Sequence, residues 1–428
     1  MGYGRRLVPY LFIQCLKTRG LMNNALVLRK QHRRSKLPGQ LVSIGLVAPL
    51  FLFLVLTLGF PIAGTLWRAI DDSDVVHALP RTINALRTWD RQSLPDDSVY
   101  RLLAVDLQEA REKETLALAA RRLNYDLAGF RSLLFSTVRR LSAVSAAPSL
   151  KDAMIHLDPA WGDLKHWGAI KNASGPVSLF FLLSAIDVRK NADGSVSMRS
   201  KDDSVFLELF KRTFFMSFIV MSICLVLGFP LSYFLTTLPA RLAYPMLVFV
   251  LVPFWTSLLV RTAAWVVLLQ TNGVVNDALG DLHLTQQPLA LIYNRLGVYI
   301  AMTHILLPFF VLPLYSVMRN ISPVYMRAAA SLGATPFRTF LRVYLPQCMP
   351  GVSAGCLLVF TIAIGFYVTP ALVGGADDQM ISYYIAFYTN TSANWGLACA
   401  LSIWLLMVTL LLYWAYTRLL NVVPGSLP

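Results

Sequence analysis

Charge is scarce in this sequence. Of its 428 residues, only 14% are Asp, Glu, Lys or Arg, whereas 56% are hydrophobic. A soluble protein of ordinary composition carries about 25% charged residues. The shortage of charge excludes a typical soluble domain for most of the chain and predicts an integral membrane protein.

The patterns of common catalytic and metal sites are missing as well. The five cysteines show no CxxC spacing, and none lies between residues 66 and 212. We therefore predict no disulfide and no metal site. A GxxxxGK[ST] phosphate-binding loop is also absent, so the chain cannot bind ATP by such a loop. With no Ser/His/Asp or Cys/His set placed together, we predict no enzyme, no catalytic residue and no cofactor.

Positive charge is concentrated at the N-terminus. The net charge is +15, and residues 1–40 hold nine Lys or Arg side chains and no acid. The positive-inside rule places this basic tail in the cytoplasm. Attraction to anionic membrane lipid explains the tail without a nucleic-acid partner.

Six apolar runs are long enough to cross a bilayer, which takes about 20 residues. They are residues 41–66, Phe214–Leu238, Tyr244–Leu269, Arg295–Met318, Val352–Val373 and Trp395–Tyr416. The charges between the runs agree with one topology, in which both termini are cytoplasmic. We predict a multi-pass membrane protein, with a core at residues 212–420 and a short cytoplasmic tail at 421–428.

Residues 67–211 have a different character, because they hold most of the acids of the chain. Their position after the first span predicts a soluble, largely helical extracytoplasmic domain. Helical patterns cover Asp74–Trp89, Leu102–Leu118 and Ala119–Leu141. The pair Asp193-Gly194 is typical of a tight turn or hairpin.

The loop at residues 319–349 has four arginines and no acid, which places it in the cytoplasm. It reads as a short helix ended by Gly333, followed by a second helix over Thr335–Tyr344 that Pro346 ends. Two interpretations remain open from this pattern. The loop either docks into a partner protein or lies as an amphipathic segment on the lipid headgroups.

The spacing of Ala328-Ala329, Gly333, Val343 and Leu345-Pro346 resembles the "EAA" loop of ABC importer permeases. The resemblance implies that this loop docks into a cytoplasmic ATPase and transmits its movement to the membrane helices. Arg327 stands where the family has a Glu, so a salt bridge of that Glu does not carry over. The implied coupling residues are Arg327, Ala328, Ala329, Gly333, Ala334, Val343, Leu345 and Pro346.

Three further segments, PFWTSLLVRTAAW, NGVVNDALG and FYVTPALVGGADDQMIS, are similar to spermidine/putrescine-type permeases of bacterial ABC importers. The resemblance covers roughly residues 205–420. It implies an all-α membrane protein with the six-helix type I importer fold. It also implies a second related permease, a cytoplasmic ATPase dimer, a periplasmic solute-binding protein and a small, polyamine-like solute.

Arg261 is the one charge inside a predicted span, and Trp265 lies one turn later on the same face. It either lines the solute path or reaches the outer headgroups as a structural side chain. Gly365 and Pro370 loosen another span, either at a gate or at a simple packing kink. The candidate path residues are Trp255, Thr256, Arg261, Trp265, Tyr367 and Thr369. An anionic or zwitterionic solute would suit Arg261 better than a polyamine, because the spans contain no acid to hold an ammonium group.

Two other classes remain as alternatives. An ion-coupled secondary transporter explains six spans, but such carriers usually keep an intramembrane carboxylate, which is missing here. A membrane receptor explains the large domain after the first span, but it needs neither four further spans nor a basic docking loop.

Overall fold

A computed structural model describes residues 45–144, 147–191, 193–200 and 204–422. The predicted tail at 1–40 and most of the one at 421–428 lie outside these ranges. The chain divides into two units after Thr65. Each unit is described by itself.

Six helices within the described ranges are long and apolar enough to cross a membrane, which confirms the predicted all-α membrane fold. They are Gly45–Arg68, Phe206–Thr237, Leu258–Asp281, Arg295–Arg319, Pro336–Gly365 and Trp395–Arg418. The first, α1 (Gly45–Arg68), contains a π turn at Val55–Gly59. Its residues through Leu66 are almost all exposed, as expected of a helix whose solvent is lipid.

The core of the membrane part lies between three of these helices. They are α10 (Phe206–Thr237), α14 (Arg295–Arg319) and α17 (Leu345–Gly365). Phe310 of α14 is fully buried at their centre. Its ring contacts the backbone positions of Gly228 on α10 and Gly355 on α17, where any Cβ would collide with it. These two glycines therefore let the three helices approach closely.

The third predicted span, Tyr244–Leu269, is wrong as a single helix. The structure has α11 (Ala240–Leu251), a 3₁₀ turn at Val252–Trp255 and then α12 (Leu258–Leu269). Pro253 lies in the turn, and Ser257 caps the new helix by accepting a hydrogen bond from the Val260 N–H at 3.5 Å. A second short helix, α13 (Val274–Asp281), follows α12.

The fifth span also begins and ends elsewhere. It starts at α16 (Pro336–Thr339), widens into a π turn at Phe340–Tyr344 and continues as α17. The prediction that Pro346 ends a helix is wrong. Pro346 lies in the first turn of α17, where the wider π turn before it tolerates the missing N–H. After α17 the chain breaks at residues 366–367 and resumes as α18 (Val368–Val373).

The remaining helices of the membrane part flank this core. They are α15 (Pro323–Ser331), α19 (Ile381–Asn390) and α20 (Trp395–Val422). A 3₁₀ turn at Ala376–Asp378 joins α18 to α19.

The predicted extracytoplasmic segment forms a bundle of short helices. They are α2 (Ser73–Ala78), α3 (Pro80–Leu86), α4 (Asp97–Glu112), α5 (Leu116–Asp126), α6 (Phe130–Val144), α7 (Leu150–Leu157), α8 (Leu164–Asn172) and α9 (Phe180–Ser184), with a 3₁₀ turn at Pro159–Gly162. A hairpin of β1 (Val188–Lys190) and β2 (Val196–Met198) turns at the predicted Asp193-Gly194 pair.

Each of the three predicted helices of this segment has different limits in the structure. Pro80 starts a new helix because it cannot donate the hydrogen bond that would continue α2. The helix predicted over Leu102–Leu118 runs over Asp97–Glu112 instead. The one predicted over Ala119–Leu141 is interrupted at Gly129, whose φ of 92° is a conformation that glycine adopts without strain.

The bundle has its own hydrophobic core, in which Trp161, Trp167, Tyr100 and Phe130 are fully buried. The Tyr100 hydroxyl donates to the Trp161 carbonyl at 2.8 Å, and burial raises the pKa of Tyr100 to about 12. These large side chains bury much apolar area, so they fix the positions of α4, α6 and α8.

A buried ion network lies beside this core. Arg122 is 2% exposed and pairs with both Asp72 and Asp126. Its guanidinium carbon also lies 3.3 Å from the centroid of the Phe180 ring. The Ser178 hydroxyl donates to Asp72 at 2.7 Å. The network thus joins the start of the bundle to the segment that leads into α9.

Three contacts join the bundle to membrane helices. The carboxylate of Asp187 accepts hydrogen bonds from the N–H groups of Val205 and Leu207 and so caps the start of α10. On α20, the Trp404 indole donates to the Leu182 carbonyl at 3.0 Å. Phe181 packs against Gly396, where a Cβ would lie 2.5 Å from its ring. The C-terminal part of the bundle is therefore held by the membrane helices α10 and α20.

Candidate solute path and coupling loop

The break between α11 and α12 lies within an apolar part of the chain. Residues 256 and 257 are not helical, so the last carbonyls of the 3₁₀ turn and the first N–H groups of α12 lack helical partners. Non-helical backbone within a membrane protein occurs where it is buried in protein or lines a water-filled cavity. Interrupted helices of this kind often mark solute sites in transporters.

Arg261, Trp265 and His304 come together just after this break. The Trp265 indole donates to His304 Nδ1 at 3.2 Å, and the two ring centroids are 5.3 Å apart. Since an indole can only donate, His304 Nδ1 must accept, and the proton of the neutral ring is on Nε2. Arg261 lies close enough to act electrostatically on His304. Its Nε is buried and has no partner among the described residues.

This cluster presents donors only. The guanidinium of Arg261 and the His304 Nε2–H both seek acceptors, and no Asp or Glu occurs between residues 209 and 276 or between 282 and 376. His304 is exposed, so the cluster is open on one side. The arrangement can bind an anionic or acceptor-rich group.

A second interruption lies beside the first. The hydroxyl of Thr262 on α12 lies 3.1 Å from that of Thr369 on α18, and both residues are fully buried. Tyr367 occupies the break before α18 and is 45% exposed. The hydroxyl pair therefore connects the two interrupted spans directly.

The structure groups the predicted path residues unevenly. Arg261 and Trp265 share a face, whereas Thr369 contacts Thr262, the residue after Arg261. Trp255 is 72% exposed in the 3₁₀ turn before the break, and the Thr256 hydroxyl donates to the Pro253 carbonyl at 3.1 Å. The sequence analysis missed His304, although it is the only histidine in a predicted span. It also missed Thr262, for which the sequence carries no signal.

The N-terminal end of the fourth span carries a salt bridge. Arg295 Nε lies 2.9 Å from an Asp378 carboxylate oxygen, and the other oxygen accepts a hydrogen bond from the Gly375 N–H at 3.2 Å. Asp378 is 6% exposed. This ion pair ties the segment after α18 to the start of α14.

The predicted coupling loop is built from two capped helices. The Ser322 hydroxyl accepts a hydrogen bond from the Val324 N–H at 3.4 Å, and Thr335 accepts one from Arg338 at 3.4 Å. Gly333 has a φ of 83° and lies directly after Leu332, the C-cap of α15. Such a left-handed residue ends a helix, and glycine adopts it without strain.

Aromatic contacts hold this loop against the core while its tip projects. The Phe340 ring packs against Phe229, Tyr233 and Tyr344, with centroids 5.8 to 6.2 Å apart. By contrast, Leu332 is 88% exposed and Phe337 is 71% exposed. Large apolar side chains at the tip of an anchored loop are typical of a docking surface.

The predicted coupling residues differ in exposure. Arg327 and Ala328 are exposed, whereas Ala329 is 9% exposed and faces the protein. Gly333 and Pro346 are exposed, and Ala334, Val343 and Leu345 are half-buried. The exposed subset faces away from the core, where a partner could reach it.

Six membrane-spanning helices, two interruptions joined by a threonine pair and a rigid basic loop define a polytopic transport subunit. Comparison with known proteins agrees. The family model "Binding-protein-dependent transport system inner membrane component" matches residues 226–421. The spermidine/putrescine transport system permease protein PotB of Escherichia coli K12 is 36% identical over 222 residues, which are 51% of this chain and 81% of that protein.

PotB of Salmonella typhimurium SL1344 is also 36% identical over 222 residues, or 51% of this chain and 77% of its own. A crystal structure of a bacterial ABC transporter involved in the import of the acidic polysaccharide alginate matches with a TM-score of 0.44 at 18% identity, covering 53% of this chain and 82% of that one. The chain belongs to the family of binding-protein-dependent transport system inner membrane components. It is the permease subunit of an ABC importer for a small solute.

Proposed function

We propose that the loop at 319–349 couples this permease to a separate cytoplasmic ATPase dimer. A second related permease completes the membrane pore, and a periplasmic binding protein delivers the solute. In this arrangement both termini are cytoplasmic and residues 67–211 face the periplasm. The observation that carries the proposal is the loop itself, which is held by Phe340 yet exposes Leu332 and Phe337.

Charge supports the same assignment. The four loop arginines are accompanied by no acid between residues 282 and 376. A basic surface with an apolar tip suits an acidic groove with an apolar floor. Arg327, which replaces the Glu of the family pattern, lies on the exposed side of α15 and would face such a groove.

Affinity purification of the tagged full-length chain in mild detergent tests this coupling. We expect an ATPase to copurify and to hydrolyse ATP, and Leu332→Asp to lose it because a charge replaces the exposed apolar tip. Leu341→Asn, an exposed position on the π turn rather than the tip, is the matched control. Uptake that persists in cells lacking any copurifying ATPase would instead favour an ion-coupled carrier.

The solute is proposed from two observations. Relatives named for spermidine and putrescine make a polyamine the first candidate. The donor cluster of Arg261 and His304 favours a second candidate, an anionic or zwitterionic solute. The proposed path comprises Trp255, Thr256, Arg261, Trp265, Tyr367 and Thr369.

Uptake of labelled putrescine by cells that express the whole system separates the two candidates. Inhibition by excess spermidine but not by dicarboxylates or amino acids supports the polyamine. If putrescine does not enter, labelled dicarboxylates and amino acids are the next substrates, and uptake of either supports the donor cluster as the selective element.

A further inference from the structure

A cavity of about 400 Å³ lies where the extracytoplasmic bundle meets the outer end of α20. Its walls include four aromatic side chains, Trp67, Tyr125, Phe181 and Trp395. The cavity is distinct from the path at Arg261, since none of its lining residues comes from α12, α14 or α18. Neither the candidate solute path nor the coupling loop involves this cavity.

Charges of both signs line this cavity. Asp71 and Asp74 come from the start of the bundle, and Arg68 and Arg121 face the same space. Arg122 also lines it, but its guanidinium is already paired with Asp72 and Asp126. Asp71, Asp74, Arg68 and Arg121 form no ion pair among the described residues, although Asp71 accepts a hydrogen bond from the Ser73 N–H at 3.3 Å and the Arg68 guanidinium lies 5.1 Å from the centroid of the Trp395 ring.

The negative charge of Asp74 is only partly balanced by nearby basic side chains. Within the described part of the chain it forms no ion pair, and Arg121 is the base that acts most strongly on it. Burial raises the pKa of Asp74, and the neighbouring Asp71 and Asp72 raise it further. A half-buried carboxylate in this setting gains from a bound cation.

Asn394 supplies a second, independent sign of a ligand. It is 5% exposed and lines the cavity. Its Oδ1 accepts a hydrogen bond from the Leu397 N–H at 3.2 Å, which fixes the orientation of the amide. Its Nδ2 is buried and has no partner among the described residues. A buried donor without an acceptor is costly, and a ligand oxygen would satisfy it.

We propose that this cavity binds a zwitterion that carries an ammonium group and a phosphate or carboxylate group. Asp71 and Asp74 receive the ammonium group, and the faces of Trp67 and Tyr125 flank it. Asn394 Nδ2, Arg68 and Arg121 receive the anionic group. A polyamine would meet the two arginines, and a simple anion would meet the two aspartates, so neither matches the walls as well.

This zwitterion has two possible sources. Trp67 and Trp395 lie at the ends of two spans, where tryptophan commonly marks the headgroup level. The ligand is therefore either a free periplasmic molecule such as O-phosphoethanolamine or the headgroup of phosphatidylethanolamine. Both present the same ammonium and phosphate groups.

Thermal unfolding of the full-length protein tests the site. In detergent, we expect O-phosphoethanolamine to raise the melting temperature of the wild type by a few degrees at saturation. Ethanolamine or inorganic phosphate alone should have little effect at the same concentration. If the source is lipid, we expect the melting temperature to be higher in nanodiscs of phosphatidylethanolamine than in nanodiscs of phosphatidylglycerol.

Two variants locate the effect. Asp74→Asn removes the ammonium partner and should be at least as stable as the wild type without ligand. Asn394→Asp keeps the oxygen that caps α20 but loses the Nδ2 donor. Both should abolish the ligand-dependent gain, whereas Glu112→Gln, an exposed charge removed elsewhere in the bundle, should keep it. The proposal is overturned if neither format shows a gain, if the variants keep it, or if phosphate alone reproduces it.

Discussion

At the scale of single residues, the donor cluster in the membrane part makes the sharpest prediction. For the anionic or zwitterionic solute, Arg261→Gln should reduce uptake at least tenfold, because it removes the guanidinium beside the break and leaves the anionic group of the solute unpaired. Arg261→Lys should retain part of the activity, since the charge remains but the planar fork is lost. Initial uptake rates against solute concentration give the result.

The control for this change is Arg241→Gln, which removes an exposed arginine on α11. An equal loss of uptake in both variants would show that Arg261 has no specific role in solute transport. An unchanged apparent affinity in Arg261→Gln with a lower protein level would assign it a structural role.

The buried pair of Arg122 and Asp72 makes a prediction about stability. Arg122→Met should lower the free energy of unfolding of the bundle by about 3–5 kcal/mol, because Asp72 and Asp126 stay buried without a counterion. Denaturant unfolding followed by tryptophan fluorescence measures it. Arg111→Met, at an exposed position of α4, should change the value little.

His166 predicts how stability depends on pH. Burial lowers the pKa of His166 below its ordinary value, and its ring lies 5.1 Å from that of Phe130. The folded state therefore resists protonation, so stability is complete above the unfolded pKa near 6.5 and falls as the pH drops below it. Melting temperatures between pH 8 and 5 should fall less steeply in His166→Gln, and parallel curves would refute the assignment.

Part of the candidate site could be predicted from residue types alone. Arg261 could be found from the sequence because a charge inside an apolar run is costly and therefore conspicuous. Its neighbour His304 could not, since the hydrogen bond that Trp265 donates to His304 spans 39 residues and depends on how α12 packs on α14. The Arg122 network joins residues up to 106 positions apart through Ser178 and Asp72, and no local pattern announces it.

At the scale of elements, the turn at Gly333 makes a prediction about coupling. Gly333→Val should lower solute-stimulated ATP hydrolysis severalfold, because a β-branched residue is strained at a φ of 83° and would reset the angle between α15 and α16. Gly333→Asn should retain most of it, since Asn tolerates this conformation. No neighbour lies within 4 Å of a Cβ at Gly333, so a loss in both variants would point to partner contact rather than to backbone strain.

Helix existence was easier to predict than helix continuity. The bilayer requires long apolar segments, so the six spans are evident from composition. Where a span is interrupted depends on single residues and on the local backbone conformation. Pro253 and Ser257 end one helix and start the next, whereas Pro346 ends nothing because a π turn precedes it. Proline thus marks the end of one helix and is tolerated within another, depending on the backbone that precedes it.

At the scale of the whole molecule, the proposed topology predicts which surfaces a membrane-impermeant maleimide can reach. Cys224, Cys348, Cys356 and Cys399 are buried, which keeps the background from these thiols low. In intact spheroplasts, Glu112→Cys should be labelled because the bundle faces outward. Leu332→Cys should be labelled only after permeabilisation, because the loop tip faces the cytoplasm. Labelling of Leu332→Cys in sealed cells would invert the topology.

The attachment of the bundle has a consequence for following transport itself. Asp187 holds the first turn of α10, and Phe181 and Leu182 contact the N-terminal half of α20. We therefore expect a tilt of either helix to move the hairpin at Ser197, which is exposed and lies outside the membrane in the proposed topology. The movement of the bundle would then follow the transport cycle. A fluorophore attached to this hairpin would report each turnover without altering the solute path.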